Sequence, residues 1–141
     1  MTASERQTIL DFINSHRYQV ISTADESGQT QSALTGFVMT PDFEIVFGTS
    51  KQSRKFANLQ HDRRCSVVIG FSMPATVQLE GIAIQLTEGL DSSQVKLYLE
   101  RQPQAHKYAS NPDQTWFLIT PSWIRYTDYG SHPETIIETS L

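Results

Sequence analysis

The sequence predicts a mainly β fold, an antiparallel barrel of six to seven strands with about three peripheral helices. Three observations lead there. Strand-length apolar or alternating segments recur along most of the chain, short clusters rich in Gly, Pro, Asp and Ser separate them, and only three segments carry helical spacing. The order is mostly that of a meander, which favours a barrel over a sheet with helical crossovers. At 141 residues the chain has room for one domain with a real core and not for two of ordinary size, so 1–141 is read as a single domain.

In chain order, residues 4–15 should form the first helix. Ile9, Phe12 and Ile13 share one face, and Thr2 with Glu5 has the spacing of a capping box. This helix is expected to cover one end of the barrel. Residues 18–24 and 30–39 read as a hairpin about the turn at 25–28, and Thr40, Pro41 and Asp42 turn the chain into a strand at 44–48. The pattern then changes to a polar loop at 49–53 and a short helix at 54–60, with Phe56 and Leu59 facing inward. Residues 65–71 are nearly all apolar, which predicts a strand buried on both faces, closed by Met73 and Pro74. In the strand at 76–86 the apolar positions are Val77 and Leu79, then Ile82, Ile84 and Leu86. The alternation slips at Gly81, and a β-bulge is expected there. A third helix should span 92–101, with Asp91 and Gln94 at capping spacing and Pro103 after its end. Residues 115–120 and 123–129 read as a last hairpin-like pair.

Bulk properties narrow the function classes. A net charge of −4 argues against a nucleic-acid surface, which needs a basic excess to displace counterions. No apolar run approaches the roughly 20 residues of a membrane span, and residues 1–7 lack the basic and apolar regions of a secretory signal, so a cytoplasmic location is expected. Cys65 is the only cysteine, which excludes an internal disulfide. The four histidines show no metal-ligand spacing, and no Gly-x-Ser-x-Gly elbow suggests a hydrolase. The basic residues are unevenly spread. Five of the eleven (Lys51, Arg54, Lys55, Arg63 and Arg64) fall within fourteen positions, and a local positive site on an acidic chain suggests a small anionic ligand.

The segment from Phe47 to Lys55 combines several means of holding a phosphate. A helix start offers unpaired N–H groups and a positive dipole end. Thr49, Ser50 and Ser53 supply hydroxyls, Arg54 a planar fork, and Lys55 a second charge. Such a site suits a terminal phosphomonoester. A solvated helix start with basic residues facing water would read the same way from spacing alone. Neither a Gly-rich P-loop nor a dinucleotide fingerprint is present.

This segment resembles the FMN-binding split-barrel family related to pyridoxamine 5′-phosphate oxidase, in which a strand ending in an aromatic residue and a Thr is followed by a loop and then Ser-Arg-Lys. Phe47, Thr49, Ser53, Arg54 and Lys55 match that pattern in order. The strand from Val20 to Asp25, the pair Asn58-Leu59, the run from Arg64 to Val67 and the run from Leu79 to Ala83 are similar to its flanks. The resemblance implies an antiparallel split barrel that binds FMN. It implies that Ser53, Arg54 and Lys55 hold the phosphate, that Gly48 and Thr49 line the cofactor, that main chain around Ala33, Leu34 and Thr35 runs beside the isoalloxazine ring, and that Thr76 makes a polar contact to it. It also implies a homodimer with each flavin touching both chains. Pyridoxamine phosphate oxidase grips its substrate with an Arg-x-His motif near the C-terminus. The stretch from Tyr126 to His132 has no arginine, so vitamin B6 oxidation does not follow, and the fit is closer to the general-stress-protein branch.

The expectation is therefore an FMN-dependent oxidoreductase acting with a small-molecule substrate or electron donor, without nucleic acid or membrane. The alternative is a non-catalytic flavin or haem carrier or sensor in stress response. His61 is the histidine to inspect for haem, because some flavin-barrel relatives bind haem instead. The aromatics Trp116, Phe117, Trp123, Tyr126 and Tyr129 are read as packing of the core or of a dimer interface, with cover for a flavin as the alternative.

Overall fold

Thr2 caps the first helix as its spacing predicts: its hydroxyl accepts from the Glu5 N–H, while the Glu5 carboxylate accepts from the Thr2 N–H. In this computed structural model, which describes residues 1–141, the helix is α1 (Ala3–Asn14). Then follow β1 (Tyr18–Ala24), β2 (Thr30–Gly36), β3 (Val38–Met39), β4 (Ile45–Ser50), α2 (Arg54–His61), β5 (Arg64–Ile69), β6 (Ala75–Gln85), α3 (Ser93–Arg101), β7 (Gln114–Asp128) and β8 (Thr135–Ser140). The strands form one antiparallel sheet in the order β2-β1-β5-β6-β7-β4-β3, with β8 also on β7. The sheet curls until β2 lies against β4 without pairing to it, so the barrel is split there. The mainly β, antiparallel split-barrel expectation with three α-helices holds. The eighth strand arises because residues 30–39 divide at Phe37, where the chain leaves β1 and pairs with β4, and because β8 carries no alternation strong enough to see.

Four expectations are corrected. Residues 115–129 are not a hairpin but the single strand β7, whose early part pairs with β4, whose later part pairs with β8, and which runs beside β6 from Phe117 on. Pro121 and Ser122 looked like a turn. The irregularity near Gly81 exists but lies on the facing strand: Gly81 pairs with Pro121 and Glu80 with Trp123, which leaves Ser122 as the extra residue. On β6 itself Val77, Leu79, Gly81 and Ala83 face inward without a slip, and Ile82 and Ile84 lie on the outer face. Gly81 is needed because the bulged strand comes close; a Cβ there would stand 2.5 Å from the Thr120 carbonyl oxygen. The strand buried on both faces is β4, not β5. Cys65, Val67 and Ile69 point inward while Val68 is exposed, whereas Ile45, Val46 and Phe47 are all fully buried. Finally, Ser92 rather than Asp91 caps α3, its hydroxyl accepting from the Val95 N–H.

Two apolar clusters explain the double burial of β4. The barrel interior holds Ile9 and Ile13 of α1 with Ile21, Phe47, Val67, Leu79, Phe117 and Ile124. Outside it, α3 lays Val95, Tyr98 and Leu99 over Val38, Val46 and Trp116. Burial of this kind stabilises by about 25 cal/mol per Å² of apolar area, so these clusters hold β4 between the barrel interior and α3. The end of β4 leads into α2.

Candidate functional site

The site is built at the junction of β4 and α2. The Thr115 hydroxyl donates to the Thr49 carbonyl at 2.6 Å, and the Lys51 N–H donates to the Asp113 carbonyl at 2.8 Å, which pins the loop to the start of β7. The hydroxyls of Thr49 and Ser53 lie 2.8 Å apart, and Ser53 caps α2 by accepting from the Phe56 N–H. Phe56 packs edge-on against Phe117, and Leu59 is buried in the barrel, so one face of α2 is anchored. What remains directed outward at its start is Arg54 and Lys55, along with two first-turn N–H groups that have no intrahelical acceptor.

Arg54 and Lys55 converge with Ile21, Thr23, Gln31, Ser32 and Ala33 on a cavity of about 150 Å³ between α2 and the β1–β2 hairpin. Neither cation has a carboxylate partner. The two ion pairs of the chain, Arg64–Asp62 and Arg125–Glu138, lie elsewhere. Lys55 is half-buried, and burial pushes its ammonium below the usual lysine range. A partly desolvated cation without a counter-charge is costly, and an anion placed between Lys55, Arg54 and the helix start offsets that cost. The cavity is wide enough for a phosphate but smaller than the roughly 300–1,000 Å³ of sites that enclose a whole small ligand.

Larger hollows elsewhere carry less pointed chemistry. One of about 390 Å³ on the outer sheet face holds Arg64, already paired with Asp62, together with Glu80, so it offers no free cation to an anion. Another of about 290 Å³ lies between the ends of α1 and α3, where Arg101 donates to the Met39 carbonyl.

Of the residues singled out in the sequence, Ala33, Arg54 and Lys55 line one cavity. Ser53 and Thr49 hold the loop. Gly48 faces Trp116 and Gln114 so closely that a Cβ would collide with the Gln114 side chain, which gives this glycine a packing role. Thr35 accepts a hydrogen bond from Gln19, and Leu34 is 62% exposed on the outer face. Thr76 does not join this cluster within one chain. It lies on β6, beyond β1 and β5, and its hydroxyl donates to the Ile69 carbonyl. The basic run is also divided: Arg64 is taken up by Asp62, whose carboxyl it holds down to about 2, and only Arg54 and Lys55 reach the cavity. His61 lies near the β1–β2 turn, by Asp25 and Glu26, away from the cavity.

Sequence reasoning passed over Asn58 as a functional residue. It is buried beneath the site, and its amide donates to Thr23 at 2.9 Å and to Gln31 at 3.0 Å. The available signal was its position, four residues after Arg54 and three after Lys55, on the same helix face.

Comparison with known proteins agrees with this architecture. Residues 6–128 match the family model described as pyridoxamine 5′-phosphate oxidase. Among solved structures, general stress protein 26 from Bacillus anthracis superposes with a TM-score of 0.71 at 18% identity, covering 96% of this chain and 98% of that one. A haem-binding protein from Mycobacterium smegmatis superposes with a TM-score of 0.79 at 18% identity, covering 99% of this chain and 58% of the longer relative. A haem storage protein from Vibrio cholerae gives 0.70 at 16% identity, over 82% of this chain and 88% of that one. At these identities the superpositions speak to the fold alone. No curated protein matches the sequence.

Proposed function

The chain belongs to the pyridoxamine 5′-phosphate oxidase family, and from that premise we propose that it binds FMN, with the phosphate held by Ser53, Arg54 and Lys55 at the start of α2, and serves as an FMN-dependent oxidoreductase. The observation that carries the reading is the pair of unpartnered cations, one half-buried, over a cavity of phosphate size. When bound, the flavin supplies the electron transfer, and the protein supplies binding and orientation. Ser53 fixes the helix start, Arg54 and Lys55 neutralise the dianion, and Gly48 and Thr49 bound the site at the end of β4. β2 pairs on one side only, so part of its peptide groups at Ala33, Leu34 and Thr35 remain free to run beside a flat ring.

A cavity of about 150 Å³ does not enclose the rest of the cofactor. This supports a homodimer in which a second copy completes each site and contributes Thr76. The exposed Leu34, Val68 and Ile82 on the outer sheet face provide apolar surface for such an association. The partner in the reaction is a small-molecule substrate or electron donor.

A second reading, a flavin or haem carrier or sensor, rests on the haem-binding descriptions of two structural neighbours. Against haem at this cavity stands the absence of any histidine among its lining residues. Denaturing the purified protein and identifying the released small molecule by mass tests both. FMN supports the first reading, a haem Soret band before denaturation supports the second, and reduction of bound FMN by a nicotinamide donor with turnover separates enzyme from carrier.

A further inference from the structure

Asn58 lies on α2 one turn beyond Arg54, is 5% exposed, and spends its amide on both strands of the β1–β2 hairpin. Its acceptors, Thr23 Oγ1 and Gln31 Oε1, sit directly opposite each other in the β1–β2 register. Asn58 thus staples α2 to a single rung of the hairpin. The next inward-facing rung is Ile21 opposite Ala33, and both residues line the cavity with Arg54 and Lys55.

The two spacings match. One helical turn advances about 5.4 Å, and a two-residue step along a strand advances about 6.6 Å. A helix fixed at the Thr23–Gln31 rung therefore carries its residues one turn earlier to the level of the Ile21–Ala33 rung. Gln31 belongs to both sets, since it accepts from Asn58 and also lines the cavity. The other polar anchors tie the start of α2 to β4 and β7, through the Thr49–Ser53 and Lys51–Asp113 contacts, and its end to Gln85 of β6, while Phe56 and Leu59 are apolar contacts; only Asn58 bonds the helix to the hairpin.

We propose that Asn58 is a positioning residue for phosphate selectivity, setting the height of Arg54 and Lys55 over the hairpin through its paired hydrogen bonds to Thr23 and Gln31. This rests on the reading of that cavity as the FMN phosphate site. Asn58 touches no ligand itself. Its effect passes through the two cations, so it should act on the phosphate and not on the ring.

The test measures affinities for FMN and for riboflavin by flavin fluorescence in the full chain, for the wild type and two variants. Asn58→Leu keeps the bulk and removes the donor. Asn58→Asp keeps the shape, and the Thr23 hydroxyl and Gln31 amide can turn to donate to it, but it sets a carboxylate four residues from Arg54, where it competes with the phosphate. Both variants should lower the FMN-to-riboflavin affinity ratio by about tenfold or more, the effect of misplacing one charge-assisted contact, while riboflavin affinity changes by less than about threefold. In an Arg54→Ala, Lys55→Ala background Asn58→Leu should not alter the ratio further, because nothing is left to position. A purely structural role would weaken both ligands alike. If the wild type prefers FMN and a folded Asn58 variant keeps that preference in full, the inference is overturned while the phosphate reading stands. If the wild type shows no preference, the phosphate reading fails and takes the inference with it.

Discussion

If FMN is held as proposed, replacing Arg54 and Lys55 together by Ala separates the share of the phosphate from that of the rest of the cofactor. A hydrogen bond to a charged group is worth about 1.5–3 kcal/mol. Arg54 is exposed, so solvent screening holds its share at or below the lower end. Lys55 is half-buried and stands nearer the middle of the range. Together they should contribute about 2–4 kcal/mol, and at about 1.4 kcal/mol per tenfold the double variant should bind FMN roughly 30- to 700-fold more weakly. Riboflavin, which has no phosphate, should bind nearly as before. The assay is a fluorescence titration with each flavin at fixed ionic strength, because added salt screens exposed Arg54 more than Lys55. Of the single variants, Lys55→Ala should cost more than Arg54→Ala. A double variant that discriminates FMN from riboflavin as well as the wild type refutes the assignment of the phosphate to this cavity.

Three further outcomes are expected. Across pH, the FMN-to-riboflavin ratio should rise as the phosphate gains its second charge near about pH 6, then fall in the alkaline range. Burial disfavours the charged form of Lys55, so its proton leaves below the ordinary lysine value, and Lys55→Ala should abolish the alkaline fall as read by titration at each pH. Gly81→Ala should destabilise by about 1–3 kcal/mol in urea unfolding, since the new methyl group meets the Thr120 carbonyl and the Pro121 main chain, which cannot turn away. Cys65, whose thiol burial pushes up to about 12, should resist alkylation at pH 8 in the folded protein and react promptly in denaturant, as followed by mass; rapid native labelling would contradict its placement in the core.

Periodicity in the sequence located α1, β1, β6 and α2 to within a few residues, although the rhythm of β6 reads falsely as a slip at Gly81 because the outward-facing Ile82 and Ile84 are apolar. It misread β7, where Pro121 and Ser122 looked like a turn but serve as a bulge that lets one strand bend around the barrel. It also took the apolar run at β5 for double burial. Burial depends on what covers the far face, and α3 covers β4 instead. At the site, Arg54 and Lys55 were legible as charges at a helix start. Their convergence with Ile21 and Ala33 was not, because it depends on how α2 sits against a hairpin more than twenty residues earlier. Asn58 escaped for the same reason: its two acceptors are 35 and 27 residues away in sequence. The five-residue basic run overstated the site, since local pairing of Arg64 with Asp62 cannot be seen without the turn that joins them.

A crystal structure of the protein grown with FMN locates the phosphate outright. The phosphorus is expected within hydrogen-bonding reach of the Arg54 guanidinium, the Lys55 ammonium and the first N–H groups of α2, with Asn58 still bonded to Thr23 and Gln31. A phosphate lying on the outer sheet face or between α1 and α3, or a cavity at Arg54 and Lys55 holding only water at saturating FMN, would contradict this placement.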